Sequence, residues 1–201
     1  MLKIYGTSRS RSSRSLWALE ELGIKYEHIP TAVADARKPD HLKINPNGHI
    51  PAIDDDGVII WESMAINLYL AEKYGKPPLW PASVADHGHA YQWSVWGMTE
   101  IEPHLIAILR NRVMAPPEQR DQQAAKTAED ALKAPLKVLD DHLKGREYLL
   151  GKDFTIADLN AAGALMFAPL VRLDMSAVPV AKGWLDKCLG RPSLQRARAQ
   201  K

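Results

Sequence analysis

The eight residues Gly75-Lys76-Pro77-Pro78-Leu79-Trp80-Pro81-Ala82 limit what this chain can build more than any other stretch. Each proline locks φ and removes a backbone donor, so the segment cannot be helical throughout. It divides two unlike patterns and is read as a domain boundary, with one domain over 1–76 and a second over 84–201. Before it, short strand and helix signals alternate. After it, every periodic stretch has helical spacing.

In the first part, Leu2 to Tyr5 is a short apolar strand ending at Gly6. Ser12 to Leu22 carries Leu16, Leu19 and Leu22 on one helical face, and Gly23 stops it. Lys25 to Ile29 alternates polar and apolar, as a strand does, and Pro30 closes it. Asp35 to Ile44 is a short helix. Pro51 to Asp54 and Val58 to Trp61 are strands joined by Asp56-Gly57, a pair suited to a tight turn that needs positive φ. Ser63 to Tyr74 is a helix with Ala65, Ile66, Tyr69 and Leu70 inward. The order β-α-β-α-β-β-α opens with a crossover that should be right-handed, its strands parallel.

In the second part, Asp86 to Met114 places Trp93, Trp96, Ile101, Leu105, Ile108 and Leu109 at helical spacing, with a kink expected at Pro103. Gln119 to Leu143 has the stripe Ala128, Leu132, Leu136, Leu139 and Leu143, and Pro135 predicts a bend. Thr155 to Leu170 and Val178 to Cys188 complete the helices. Thr155-Ile156-Ala157-Asp158 forms a capping box: Thr155 accepts from an early amide and Asp158 bonds back to the Thr155 amide. The helix after it is apolar nearly all round and so buried, which gives Asp158 a structural role.

Composition narrows the function. Of 201 residues, 46% are apolar and 25% charged, with a net charge of +2, as in an ordinary soluble domain. The arginines are scattered, and no basic stripe suggests nucleic acid. Cys188 is the single cysteine, which excludes an internal disulfide or a redox pair and points to a reducing compartment. No apolar run reaches the roughly 18 residues that a membrane span needs. The N-terminal apolar run is too short for a signal peptide.

Three segments carry candidate chemistry. The first is Asn45-Pro46-Asn47-Gly48-His49-Ile50-Pro51. The cis form of an X-Pro bond costs only about 0.5–1 kcal/mol. In that form the Ile50 amide and carbonyl would face outward, and an extended peptide could pair with them as an added strand. The second is Glu62-Ser63 at a helix start. Free amides and the positive dipole end there suit a carboxylate, and Glu62 suits an ammonium, so together they describe a receptor for an α-amino-acid head group. The third is Thr7-Ser8-Arg9-Ser10-Arg11-Ser12-Ser13-Arg14, between the first strand and the first helix, where α/β sheets bind ligands. A hydroxyl near these arginines could donate to a thiolate and lower its pKa from about 8.5. Chemistry alone does not choose among the four serines.

Together these segments resemble the cytosolic glutathione transferase family over the whole chain. The resemblance is carried by Ser10-x-x-x-Arg14 with Leu16-Trp17-x-Leu19-Glu20-Glu21-Leu22-Gly23, by Asn45-Pro46-x-Gly48-x-Ile50-Pro51, by Glu62-Ser63-x-Ala65-Ile66, by Thr155-x-Ala157-Asp158 and by Trp184 with Arg191-Pro192. It implies an α/β thioredoxin-like N-terminal domain followed by an all-α C-terminal domain. Glutathione is implied as co-substrate, with no metal. The protein would be a cytoplasmic homodimer acting on a small electrophile, with neither nucleic acid nor membrane as partner. By position, Ile50 pairs through its backbone with the cysteinyl part of glutathione, Glu62 and Ser63 hold the γ-glutamyl end, and His49 reaches the glycyl end, where Arg37 also falls. Ser10 takes the thiol-activating position of the serine-type classes, with Ser8, Ser12 and Tyr5 as alternatives. The expected activity is transfer of the glutathione thiol to an electrophilic carbon. A specialised isomerase, dehalogenase or peroxidase, or a non-enzymatic dimerisation module of the same fold, stays open.

Overall fold

A computed structural model describes residues 1–200. The chain divides into two compact units, Met1–Pro81 with the tail from Gly190 onward, and Ala82–Leu189.

The first unit holds β1 (Leu2–Gly6), α1 (Ser12–Leu22), β2 (Glu27–Pro30), α2 (Pro39–Leu42), β3 (Ala52–Asp55), β4 (Val58–Trp61) and α3 (Ser63–Tyr74). Its sheet has the order β2-β1-β3-β4. β1 and β2 run parallel, as expected of the opening crossover, while β3 is antiparallel to both β1 and β4. Asp56 and Gly57 make the β3–β4 turn with φ of 51° and 94°, the positive values that a two-residue hairpin demands. On β1, Leu2, Ile4 and Gly6 are buried and Lys3 and Tyr5 half-buried, the period-two alternation of a strand.

Two local expectations change. The helix expected over Asp35 to Ile44 breaks into a 3₁₀ turn, Asp35–Arg37, and the short α2. Pro39 is the cause: Lys38 before it is held extended at φ −71°, ψ 149°, because a residue preceding proline avoids the helical region. On α3 the buried face is Met64, Ile66, Asn67, Leu70 and Ala71, with Ala65 exposed and Tyr69 half-buried. The phenols of Tyr69 and Tyr74 and the Lys73 ammonium instead converge on the buried Asp55 carboxylate at 2.7–2.9 Å. Burial works against that charge, but these donors hold its pKa below the usual carboxylate value.

The tail joins this unit and not the helical one. Residues Pro192–Ala199 form a helix, α9. Arg191 and Ser193 both bond Glu21, Trp17 Nε1 donates to Ser193 Oγ at 3.1 Å, and Arg196 Nε donates to Glu20 at 2.8 Å. Burial alone would raise the Glu21 carboxyl, yet its bonds from Arg191 and Ser193 bring it below its ordinary value.

The second unit is helical: α4 (Val84–Trp96), α5 (Glu102–Leu109), α6 (Gln122–Leu143), α7 (Ile156–Ala164) and α8 (Pro179–Leu189). A π-helical segment, Gly97–Ile101, joins α4 to α5 just before Pro103. Proline cannot donate to the carbonyl four residues back, and the wider turn absorbs that loss. α6 runs through Pro135 unbroken, and its stripe of Ala128, Leu132, Leu136, Leu139 and Leu143 is buried. α7 stops at Ala164, short of the expected Leu170. Pro169 has no N–H to bond back to Leu165, and turns replace the helix over residues 165–172.

Asp158 is buried at the start of α7. Its carboxylate accepts from the Thr155 amide and hydroxyl at 3.0 Å each, from the Leu149 amide at 2.8 Å and from Trp184 Nε1 at 2.9 Å. Burial raises its pKa against these bonds.

Candidate functional site

Within the first unit, a cleft of about 30 Å³ is lined by Arg11, Asn45, His49, Ile50, Pro51, Glu62 and Ser63. Four of the five residues singled out from sequence meet there.

One wall is the loop from Asn45 to Pro51. Asn45, 1% exposed, organises it: its side chain accepts from the Asn47 amide at 3.0 Å and donates to the His49 carbonyl at 2.8 Å, and its carbonyl accepts from the Gly48 amide at 2.9 Å. Gly48 has φ of +65°, and a Cβ there would meet Arg37 Cγ at 3.2 Å, so the turn needs glycine. The Ile50–Pro51 bond is cis. Ile50 is 9% exposed, and its N–H and C=O have no hydrogen-bond partner among the described residues. Buried backbone groups are nearly always paired, and Ile50 departs from that rule.

The opposite wall is the start of α3. Glu62, just before the helix, has φ 72° and ψ 117°, a sparsely populated region that costs of order 1–3 kcal/mol for a residue with a Cβ. No side chain caps the helix among the described residues, so its first amides stay open to an anion. Ser63 is buried, and its hydroxyl faces the Arg14 guanidinium, with Nη1 at 3.4 Å. Arg14 is wholly buried. It brings positive charge beneath the cleft, where low dielectric magnifies it.

Ser10 does not line this cleft. Its hydroxyl lies 2.8 Å from the Thr7 carbonyl and 3.0 Å from Ser12 Oγ, and accepts from the Ser12 amide at 3.1 Å. One hydroxyl proton serves one acceptor at a time, and here it is engaged in the turn that starts α1. Among the alternatives, Ser8 donates to the Gln200 carbonyl at 2.6 Å, and Ser12 is buried. Tyr5 lines a different cavity of about 320 Å³ with Thr31, His41 and Ile44. Arg11, Asn45 and Arg14 are the residues that sequence reasoning did not assign to the site. Arg14 belongs to the Ser10-x-x-x-Arg14 pattern, but nothing in that spacing showed its side chain buried against Ser63. Among the described residues no cluster of three or more His, Cys, Asp or Glu could hold a metal.

Residues 1–72 match the glutathione S-transferase N-terminal domain, and residues 101–192 match the glutathione S-transferase C-terminal domain. The chain is 31% identical to glutathione S-transferase GstB of Escherichia coli, over 98% of this chain and 97% of that one. It is 32% identical to glutathione S-transferase F9 of Arabidopsis thaliana, over 93% and 86%. Among solved structures, a theta class glutathione S-transferase from Xanthomonas axonopodis pv. citri with glutathione bound superposes with a TM-score of 0.89 at 26% identity, covering 100% of this chain and 98% of that one. Glutathione S-transferase-I bound with lactoylglutathione gives 0.88 at 29% identity, covering 98% of each. With its opening sheet unit, its helical unit and both domain matches, the chain belongs to the glutathione S-transferase family.

Proposed function

We propose that this protein is a cytoplasmic, homodimeric glutathione transferase that transfers the glutathione thiol to a small electrophile. The observation that carries the reading is the juxtaposition of two unmet demands in one cleft: the unpartnered Ile50 amide and the uncapped start of α3. Glutathione answers both. Its cysteinyl backbone pairs with Ile50 as an added strand. Its γ-glutamyl carboxylate sits on Ser63 and the first α3 amides, and its ammonium on Glu62. The glycyl carboxylate falls toward His49 and Arg37, whose side chain packs over Gly48. The exposed apolar residues Val58, Ile59 and Trp61 on edge strand β4 support the homodimer.

Catalysis then needs the thiolate. The thiol proton leaves to solvent, the sulfur forms a bond to the electrophilic carbon, and the displaced group or an added proton completes the product. Ser10 is the hydrogen-bond donor: its hydroxyl rotates from the Thr7 carbonyl to the sulfur once the peptide is seated. Arg14 and Arg11 add positive potential that favours the anion. A hydrogen bond to a charged group is worth about 1.5–3 kcal/mol. Ser10→Ala should therefore lower the rate on a generic electrophile about ten- to a hundredfold and raise the apparent pKa of bound glutathione in a pH–rate profile. An unchanged rate and profile would move the role to Ser8, Ser12 or Tyr5. Failure of calorimetry to detect glutathione binding at all would favour a dimerisation module.

A further inference from the structure

Taking the cleft as the glutathione site, on which this rests, we propose that His41 and Asn45 are positioning residues that aim the Ile50 amide at the bound peptide. The His49 carbonyl accepts twice, from His41 Nε2 at 2.9 Å and from Asn45 Nδ2 at 2.8 Å. Both of its lone pairs are used, so its direction is fixed. The bond from His41 requires the proton on Nε2. The peptide between His49 and Ile50 is trans, since the cis bonds of the described residues are Ile50–Pro51 and Pro77–Pro78. In a planar trans peptide the C=O and the N–H point in opposite directions. Drawing the carbonyl toward His41 and Asn45 turns the Ile50 N–H away from that buried pair, and the N–H is left unpartnered.

Both residues are themselves held. His41 is 7% exposed, and the Tyr5 ring stands edge-on to it at 6.1 Å. The His41 carbonyl accepts from the Ile44 and Asn45 amides at 2.9 and 2.8 Å. One residue of α2 therefore grips the loop at both ends, by its backbone at Asn45 and by its ring at His49. Neither side chain needs to touch the thiol. Their effect runs through the one peptide plane that glutathione must read.

Glutathione titrations and steady-state rates with a chlorodinitrobenzene, on full-length variants, test this. His41→Phe keeps the ring and its contact with Tyr5 but removes the donor. Asn45→Asp keeps the shape but sets an acceptor against the carbonyl. Each should raise KM for glutathione about tenfold, as expected for one misaligned backbone hydrogen bond, with kcat unchanged at saturating glutathione. His41→Gln, which returns a side-chain N–H, should recover most of that loss. In the wild-type chain the Ile50 amide proton should shift on glutathione addition. The inference is overturned by wild-type KM in both His41→Phe and Asn45→Asp, by an equal loss in His41→Gln, or by an Ile50 amide that ignores glutathione. Ser63→Ala separates the two levels. If it weakens glutathione binding while the His41 and Asn45 variants do not, the positioning role alone falls. If it too binds as wild type, the assignment of the cleft falls with it.

Discussion

Two helix starts, one in each unit, are built from the same kinds of residue and end in opposite states. At α7, Thr155 and Asp158 close the start on itself, and the Asp158 carboxylate also satisfies the Leu149 amide and the Trp184 indole. The capping box there is closed within the chain. At α3, Glu62 and Ser63 also supply an acid and a hydroxyl, but Glu62 is bent into positive φ and no side chain caps the helix among the described residues. A helix start is a set of unmet donors in either case. A protein that meets them itself gains stability, and one that leaves them open at some cost gains a binding site.

The largest effect that could break this contrast is at α7. Asp158→Ala removes the acceptor of four buried donors and should cost about 4 kcal/mol or more in urea unfolding, at 1–3 kcal/mol for each unsatisfied group. A loss below about 1 kcal/mol, the net worth of a single ordinary hydrogen bond, would make the closed start unimportant. At α3 the same kind of change should spare the fold. Ser63→Ala should weaken glutathione binding about tenfold, a single lost hydrogen bond's worth, with a much smaller loss of stability than Asp158→Ala, since within the chain it gives up only the 3.4 Å bond from Arg14. Glu62→Gly sharpens the point: relief of the positive φ should stabilise the protein by about 1 kcal/mol while glutathione affinity falls. A variant that is less stable and binds normally would put the strain argument aside.

A smaller effect separates the units by pH. Glu21 and Asp55 in the first unit have pKa values lowered on folding. Their contribution is complete above the unfolded carboxylate range of about 4 and is lost as pH falls through the lower folded values. Asp158 has a raised pKa. In its window the folded state binds a proton that the unfolded state has not yet bound, so acid acts in its favour. Below about pH 4, amide exchange protection in α1, α3 and α9 should drop before that in α7. Simultaneous loss would show that these carboxyls do not set the order.

Much of the fold was legible because it rests on local rules. Ser12–Leu22 and Ser63–Tyr74 match their periodic stretches end to end, and the Asp56-Gly57 hairpin follows from its need for positive φ. Errors collected around prolines: Pro39 split one helix and Pro169 shortened another. The cleft was legible as motifs, four of whose residues converge. What remained hidden were contacts between distant parts of the sequence. Arg14 beneath Ser63 and α9 against α1 depend on neighbours that no spacing reveals.

From its amino-acid order alone, this protein disclosed its strand and helix order, the Thr155–Asp158 cap and the family it resembles. Those depend on backbone preference and short-range hydrogen bonding, which act over a few residues. Only the tertiary structure decided that the tail packs with the sheet unit, that the α3 start is left open, and that two side chains share the His49 carbonyl. Each of these turns on which group satisfies a polar atom, and that partner is chosen by the folded arrangement, not by backbone preference.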